Sequence, residues 1–570
     1  MNTADRIAAA LGNEPADLLL KNGKLVNVFS GEIHPASVAI KDGLVVGFGD
    51  YTAKETVDLD GKYICPGFID GHLHLESSML AIPEFARNVL PWGTTTVVAD
   101  PHEIANVLGV AGIRYILDSS EGLPLRVFVM FPSCVPATPF ETSGAELLHS
   151  DMEPFRDHPR ILGLAEMMNF PGLIAADPEI LKKIEVFRDK VLDGHAPGLS
   201  GKGLAAYVAA GIGSDHECTT VEEAREKLRM GIHIMIREGS AAKNLDSLLP
   251  LVNNLNSRNC FFVTDDLDPE DIMEKGHLNN LVRTAVGKGL DPVRAIQMAS
   301  LNPASYFRLK GLGAVAPGYT ADLLILKDLT DFKVLQVYHS GKLVAQDGGI
   351  IESPMALERV QLAPTVKVDW NSVQDFSIEA RGSSVNIIEV VPDQIVTRRV
   401  VEPAPIMNGK VVADTSRDIL KVAVIERHKG TGAFSVGLIR GFGLECGAIS
   451  STVAHDSHNI IVVGASDEDM MLAAREAVAM GGGMTTVKNG NIVARLPLPI
   501  AGLMSDEDID TVRSELESLV HSVKGLGCTL HNPFATLSFM ALTPIPEIKI
   551  TDQGLFDSVN FRFISLFADS

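Results

Sequence analysis

Between residue 64 and about residue 310, short apolar runs recur, each ending in polar or charged residues and each followed by a stretch with helical spacing. The runs end at His72 and His74, then at Asp100, Phe131, Glu166, His195, His216, Arg237 and Asp265. Eight such ends, spaced roughly 20–35 residues apart, predict alternating strands and helices. About 250 residues in this rhythm is the size of a (β/α)8 barrel. A doubly wound open sheet shares the local pattern. It would not bring the first, fourth, fifth, sixth and eighth strand ends to one point, whereas a closed barrel does.

The flanks have a different character. Residues 17–63 read as short strands at 18–20, 25–29, 38–40 and 44–48, with Asn22-Gly23 and Asp42-Gly43 between apolar runs as hairpin signals. After a helix that ends near Ala304, β character returns at 311–326, and residues 334–345 read as a hairpin through Gly341-Lys342. The expected fold class is therefore α/β, a (β/α)8 barrel inserted into a small β-sandwich domain, plus a C-terminal α/β domain. Residues 1–63 and 312–364 would be the two parts of the β domain, 64–311 the catalytic barrel and 365–570 the C-terminal domain. Strands are expected there at 385–390, 420–426 and 460–463, then a helix at 468–479 and the Gly481-Gly482-Gly483 turn.

Composition narrows the class. Hydrophobic residues make up 46% and charged residues 21% of the 570, which excludes a mainly disordered chain. A net charge of −23 argues against nucleic acid or an anionic membrane as partner, since phosphate binding needs clustered Lys and Arg. The six cysteines are scattered without a C-x-x-C pair, the pattern of reduced thiols. Asp5, Arg6 and Glu14 break the N-terminal Ala run, so it does not read as a signal peptide, and no apolar run reaches ~18 residues. A soluble cytoplasmic protein is expected.

His72 and His74 carry the first chemistry. In an extended segment, side chains at i and i+2 share a face, so two imidazoles project together just after the Pro66-Gly67 turn. His195, His216 and Asp265 end three further strands, and together these five form a ligand set for two neighbouring divalent ions. Imidazole and carboxylate suit Zn, Mn, Fe, Ni or Co rather than Ca or Cu(I). Two such charges need a bridge, and Glu166 at the fourth strand end is the carboxylate in position. A single strand-end His or acid is usually only hydrogen-bonded; five strand ends all offering ligand types favour metal. Asp100, His102 and Glu103 form a second cluster after the second strand, which either holds an extra metal, orients substrate or simply ties a loop together. His455-Asp456-Ser457-His458 reads as a polar turn. The zinc nucleobase deaminases that pair H-x-E with P-C-x-x-C are excluded, because the second half is absent.

The motifs Pro66-Gly67-Phe68-Ile69-Asp70-Gly71-His72-Leu73-His74, Met298-Ala299-Ser300-Leu301-Asn302-Pro303-Ala304 and Pro317-Gly318-Tyr319-Thr320-Ala321-Asp322-Leu323 resemble the amidohydrolase superfamily. Within it, the His72–Met79 stretch (residues 72–79), Asp100-Pro101-His102-Glu103, Gly194-His195-Ala196-Pro197-Gly198, Arg237-Glu238-Gly239-Ser240 and Ala454-His455-Asp456-Ser457-His458-Asn459 resemble the bacterial-type adenine deaminases. Many members of the superfamily bridge their metals with a carboxylated lysine. No lysine lies between Arg160 and Pro171 here, which sets aside hydantoinases and dihydroorotases as nearest relatives. The resemblance implies hydrolytic deamination of adenine at a binuclear Mn or Fe centre, with Zn, Ni or Co as other choices. It also implies Asp265 as proton carrier and Glu217 as ring-nitrogen acid, and it extends the substrate contacts to Glu76, Ser77 and Ser200. A homo-oligomer, dimer or larger, is the expected assembly. A cyclic-amide hydrolase on the same barrel and a scaffold without catalysis are the alternatives.

Overall fold

The computed structural model of the chain describes residues 2–240, 242–351, 362–392 and 394–568. Residues 352–361, within the segment expected to complete the β domain, lie outside the described residues.

Strands β1 (Ala16–Asn27), β2 (Glu32–Lys41), β3 (Leu44–Phe48), β4 (Ala53–Asp58) and β5 (Tyr63–Pro66) precede the barrel. Asp42-Gly43 makes the expected β2–β3 turn, but Asn22-Gly23 does not turn the chain. β1 runs straight through it with a bulge, pairing β4 along 16–21 and β5 at Lys24 and Leu25. Asn22 takes a positive φ of 58° and its amide donates to Asp58 Oδ2 at 2.8 Å. A Cβ on Gly23 would stand 2.6 Å from Ile64 Cδ1, so glycine is needed where β5 crosses close to the bulge. Bulge and hairpin make the same demand on backbone angle, which is why the sequence pattern reads as either.

The barrel strands are β6 (Phe68–Leu73), β7 (Thr94–Ala99), β8 (Arg126–Phe131), β9 (Ile161–Met167), β10 (Val191–Gly194), β11 (Ser214–Asp215), β12 (His233–Arg237) and β13 (Cys260–Val263). All eight lie where the apolar runs place them. β6 to β10 and β11 to β13 form two parallel sheets. The sheets join at two seams. Gly213 N donates to Leu192 O at 2.9 Å; Asp265 N donates to His72 O, and His74 N to Asp265 O, each at 3.1 Å. Buried Ile69, Val98, Met130, Ala165, Met235 and Phe261 pack in one cluster, the filled interior of a barrel. Gly71 belongs to that packing, since a Cβ there would meet Phe261 Cε2 at 2.6 Å.

After the barrel come β14 (Leu323–Leu326), β15 (Val334–His339), β16 (Lys342–Gln346) and β17 (Gly349–Ile350). β14 pairs β5 antiparallel, so the strands before and after the barrel share one nine-stranded sheet. The sheet rolls on itself: Val45 N in β3 donates to Tyr319 O at 2.9 Å, and Leu18, Ile40, Ile64, Leu323 and Ile325 pack into one core. The C-terminal section holds an eight-stranded sheet, mostly antiparallel, with helices Asp467–Ala479 and Ile509–Lys524. It docks on the barrel near β6: Ser505 N donates to Met79 O at 2.8 Å and Ala81 N to Ser505 O at 3.1 Å. Among the described residues no helix is long and apolar enough to cross a membrane, and all six cysteines are unpaired.

Candidate metal centre

The ligand-type side chains meet where the barrel strands end, with Glu166 in the middle. Its Oε2 lies 2.7 Å from His195 Nδ1 and 3.3 Å from His216 Nε2. Its Oε1 lies 3.6 Å from His74 Nε2 and 3.4 Å from His102 Nδ1. Asp265 Oδ1 stands 3.3 Å from His72 Nε2 and 3.2 Å from His74 Nε2. Three trios (His72, His74, Glu166; Glu166, His195, His216; His72, His216, Asp265) each keep their ligand atoms within 4.8 Å of one another. Ligand atoms at about 2.1 Å from a tetrahedral metal are ~3.4 Å apart. The observed separations bracket that value, and Glu166 offers one oxygen to each of two groups, as a bridge requires.

Several buried atoms of the cluster lack a hydrogen-bond partner: His72 Nε2, His102 Nδ1 and both carboxylate oxygens of Asp100. Leaving such an atom unpaired costs roughly 1–3 kcal/mol. His74 Nδ1 is engaged by Asp100 O at 3.0 Å, which turns Nε2 toward the cluster. Burial works against ionising Glu166, yet His195 and His216 outweigh it and hold the carboxyl well below its usual range. Burial also opposes Asp265, whose carboxyl is held down by the facing imidazoles of His72 and His74 and by Arg237. Against burial, Glu166 draws His216 up to about 9 and Asp100 draws His102 up to about 10. Glu166 and Asp100 thus favour the charged form of His216 and His102, whereas burial and the nearby His216 push His72 the other way. The donor set, its spacing and its unpartnered atoms fit divalent ions.

Asp265 has a φ of 61°, a left-handed backbone uncommon outside glycine. Strain of this kind persists where the surroundings hold it, here the β6–β13 seam on either side.

Residues 63–344 match the amidohydrolase family, and residues 394–562 match the adenine deaminase C-terminal domain. An adenine deaminase from Desulfatibacillum aliphaticivorans is 51% identical over 563 residues, covering 98% of this chain and 99% of that one. Adenine deaminase 2 from Carboxydothermus hydrogenoformans is 49% identical over 561 residues, covering 98% of each. The chain belongs to the adenine deaminase family.

In this adenine deaminase family chain the structure brings all the expected ligands, His72, His74, Glu166, His195, His216 and Asp265, into one cluster. Glu217 lies beside it, 3.6 Å from His195 Nδ1 and 3.4 Å from His216 Nε2. The guanidinium of Arg237 forks onto both Glu217 oxygens and reaches Asp265 Oδ2 at 2.9 Å. Sequence reading marked Arg237 as a strand end and gave it no role, though it stands where other strands supply ligands. The expected second cluster divides. His102 reaches Glu166, with Asp100 Oδ2 at 3.5 Å from its Nδ1, whereas Glu103 faces the C-terminal section. There its Oε1 is 3.2 Å from His455 Nδ1 and its Oε2 3.9 Å from His458 Nε2. Glu76 and Ser77 line a cavity next to the cluster together with Asp266, which sequence reading missed. Ser77 Oγ donates to Asp266 Oδ1 at 2.5 Å. Ser200 takes no part in that cavity. It is exposed, at the N-cap of the helix Gly201–Ala209, because the chain after β10 turns outward there.

Two ligand-bearing loops are tied from behind by Lys227. Its fully buried ammonium donates to Asp215 Oδ2 at 3.0 Å and to Ala196 O at 2.7 Å, while Ala196 N donates to Asp215 Oδ1 at 2.8 Å. Ala196 follows His195, and Asp215 precedes His216. Lys227→Met is expected to lower stability by about 3–5 kcal/mol, since it strands a buried carboxylate. Denaturant unfolding checks this, and a wild-type midpoint contradicts it.

Proposed function

We propose that the chain hydrolyses adenine to hypoxanthine and ammonia. The observation that carries this reading is a complete ligand cluster in a chain about half identical, end to end, to proteins named adenine deaminase. Two divalent ions, Mn or Fe as first choices, would be held by His72, His74, Glu166, His195, His216 and Asp265, and would lower the pKa of water enough to furnish a nucleophile at neutral pH. Asp265, at the cluster and hydrogen-bonded by Arg237, takes the proton of the attacking water and passes it to the departing amine. The C6–O bond forms, the C6–N bond breaks, and ammonia leaves. Glu217 handles a proton at a ring nitrogen, with Arg237 setting its position. Asp100 and His102 orient the cluster through Glu166. Purine salvage in the cytoplasm, by a homo-oligomer, is the setting this reading implies.

Cyclic-amide hydrolysis is the weaker reading, because a glutamate stands where the lysine bridge would be. A scaffold without catalysis would be free to lose ligands, and here the set is whole.

Ammonia release from a panel of aminopurines and cyclic amides, with protein reloaded with Mn and its metal counted, tests the proposal. Turnover of adenine above the other substrates is expected; a fully metal-loaded protein inactive on adenine overturns it. Glu217→Gln is expected to lower kcat roughly a hundredfold or more, in line with loss of a proton-transfer group. Near-normal turnover would exclude Glu217 from proton transfer.

A further inference from the structure

The cavity beside the metal cluster has two unlike walls. The barrel side presents Glu76, Ser77, Glu103 and Asp266, and a carboxylate oxygen of Asp266 lies within 4.8 Å of a ring nitrogen of His74 and a carboxylate oxygen of Asp265. The cavity therefore borders the reacting end of the site. The other side comes wholly from the C-terminal section and is largely apolar: Met484, Leu516, Phe534 and Phe539, with His455. Its volume is about 90 Å³.

Outside it lies a second cleft of about 720 Å³, within the range of small-molecule pockets. The two share Ser240, Asp268, Leu516, Asn532, Ala535 and Phe539 as lining, so they lie side by side. Phe539 stands at the junction. Its ring stacks on the His455 imidazole, 4.9 Å between centroids and 15° between planes. Lys549 Nζ anchors its backbone by donating to Phe539 O at 2.9 Å, and His455 is fixed from the far side by Glu103.

A planar heteroaromatic ring with N–H donors at its edge matches this asymmetry. Its faces want apolar and aromatic surface, and base–aromatic stacking is among the strongest contacts such a ring makes. Its edge wants acceptors. Glu76 supplies one, for its Oε1 accepts from Ile104 N at 3.0 Å while its buried Oε2 has no partner.

We propose that this cavity is the purine subsite, and that the C-terminal section, through Phe539 and Leu516, holds the ring whose C6 faces the barrel's metal cluster. This rests on the adenine reading given above. The C-terminal section is then part of the binding site rather than an appended domain, and neither part of the chain makes a complete site alone.

The test is steady-state kinetics on adenine with the full-length, metal-loaded protein and its Phe539→Ala, Phe539→Tyr and Leu516→Ala variants, with metal counted for each. Loss of a stacking face weakens substrate and transition state alike, so the expected defect lies in KM. Phe539→Ala should raise KM roughly ten- to a hundredfold with its metal retained. Phe539→Tyr should restore it, and Leu516→Ala should raise KM by a smaller factor. If Phe539→Ala and Leu516→Ala both keep a KM within twofold of wild type, the subsite is overturned while the activity stands. If the wild-type protein does not act on adenine, the activity reading itself fails.

Discussion

Asp265→Asn is expected to lose about a hundred- to ten-thousandfold in kcat on adenine while keeping most of its metal, the range that proton-transfer groups contribute. Asparagine has the same shape and keeps one oxygen for the cluster, so His72 and His74 retain a neighbour at about the present distances. It cannot take up a proton. In the wild type, Asp265 Oδ2 accepts from Arg237 Nη1 at 2.9 Å while Oδ1 faces His72 and His74. One carboxylate thus spans the metal cluster and the cation that steadies Glu217. Steady-state rates together with a metal count check the prediction. A largely active variant would remove Asp265 from the proton path.

Glu166→Ala is expected to be the most damaging change at the site. It should reduce bound metal from two equivalents to one or fewer per chain and abolish turnover. Both Glu166 oxygens face imidazoles, Oε2 toward His195 and His216 and Oε1 toward His74 and His102. Without that carboxylate the positive charges gathered around it lose their shared partner, and the two ion positions lose their common ligand. Glu166→Gln keeps the shape and loses the charge, so it should fall between the alanine variant and wild type in metal content. Elemental analysis per chain decides the matter; two full equivalents in the alanine variant would mean that Glu166 is no bridge.

The ligand cluster was largely legible in the sequence because a barrel turns a one-dimensional regularity into a place. Strands ending in His72 and His74, Glu166, His195, His216 and Asp265 can meet only if the sheet closes, and the apolar runs ahead of them are long enough to make that sheet. The backbone alternation of a strand then fixes which side chains share a face. Arg237 shows the limit of this logic. Its position at a strand end was clear, but its role needs the distances to Glu217 and Asp265, and no spacing encodes those. Asn22-Gly23 shows another limit, since a bulge and a hairpin ask the same of the backbone and only the pairing of β1 with both β4 and β5 separates them.

What the sequence by itself determined, then, was the barrel, the candidate ligand residues on its strand ends and, through motif resemblance, the adenine deaminase family. Periodicity and residue chemistry are local, and they survive in the linear order. The tertiary structure alone decided that Glu103 turns to His455 and His458, that Ser200 lies outside, and that Met484, Leu516, Phe534 and Phe539 wall a cavity at the cluster. In the sequence those apolar residues look like any core. They become a wall because the C-terminal section docks over the barrel mouth, and docking depends on surfaces hundreds of residues apart that no local pattern records.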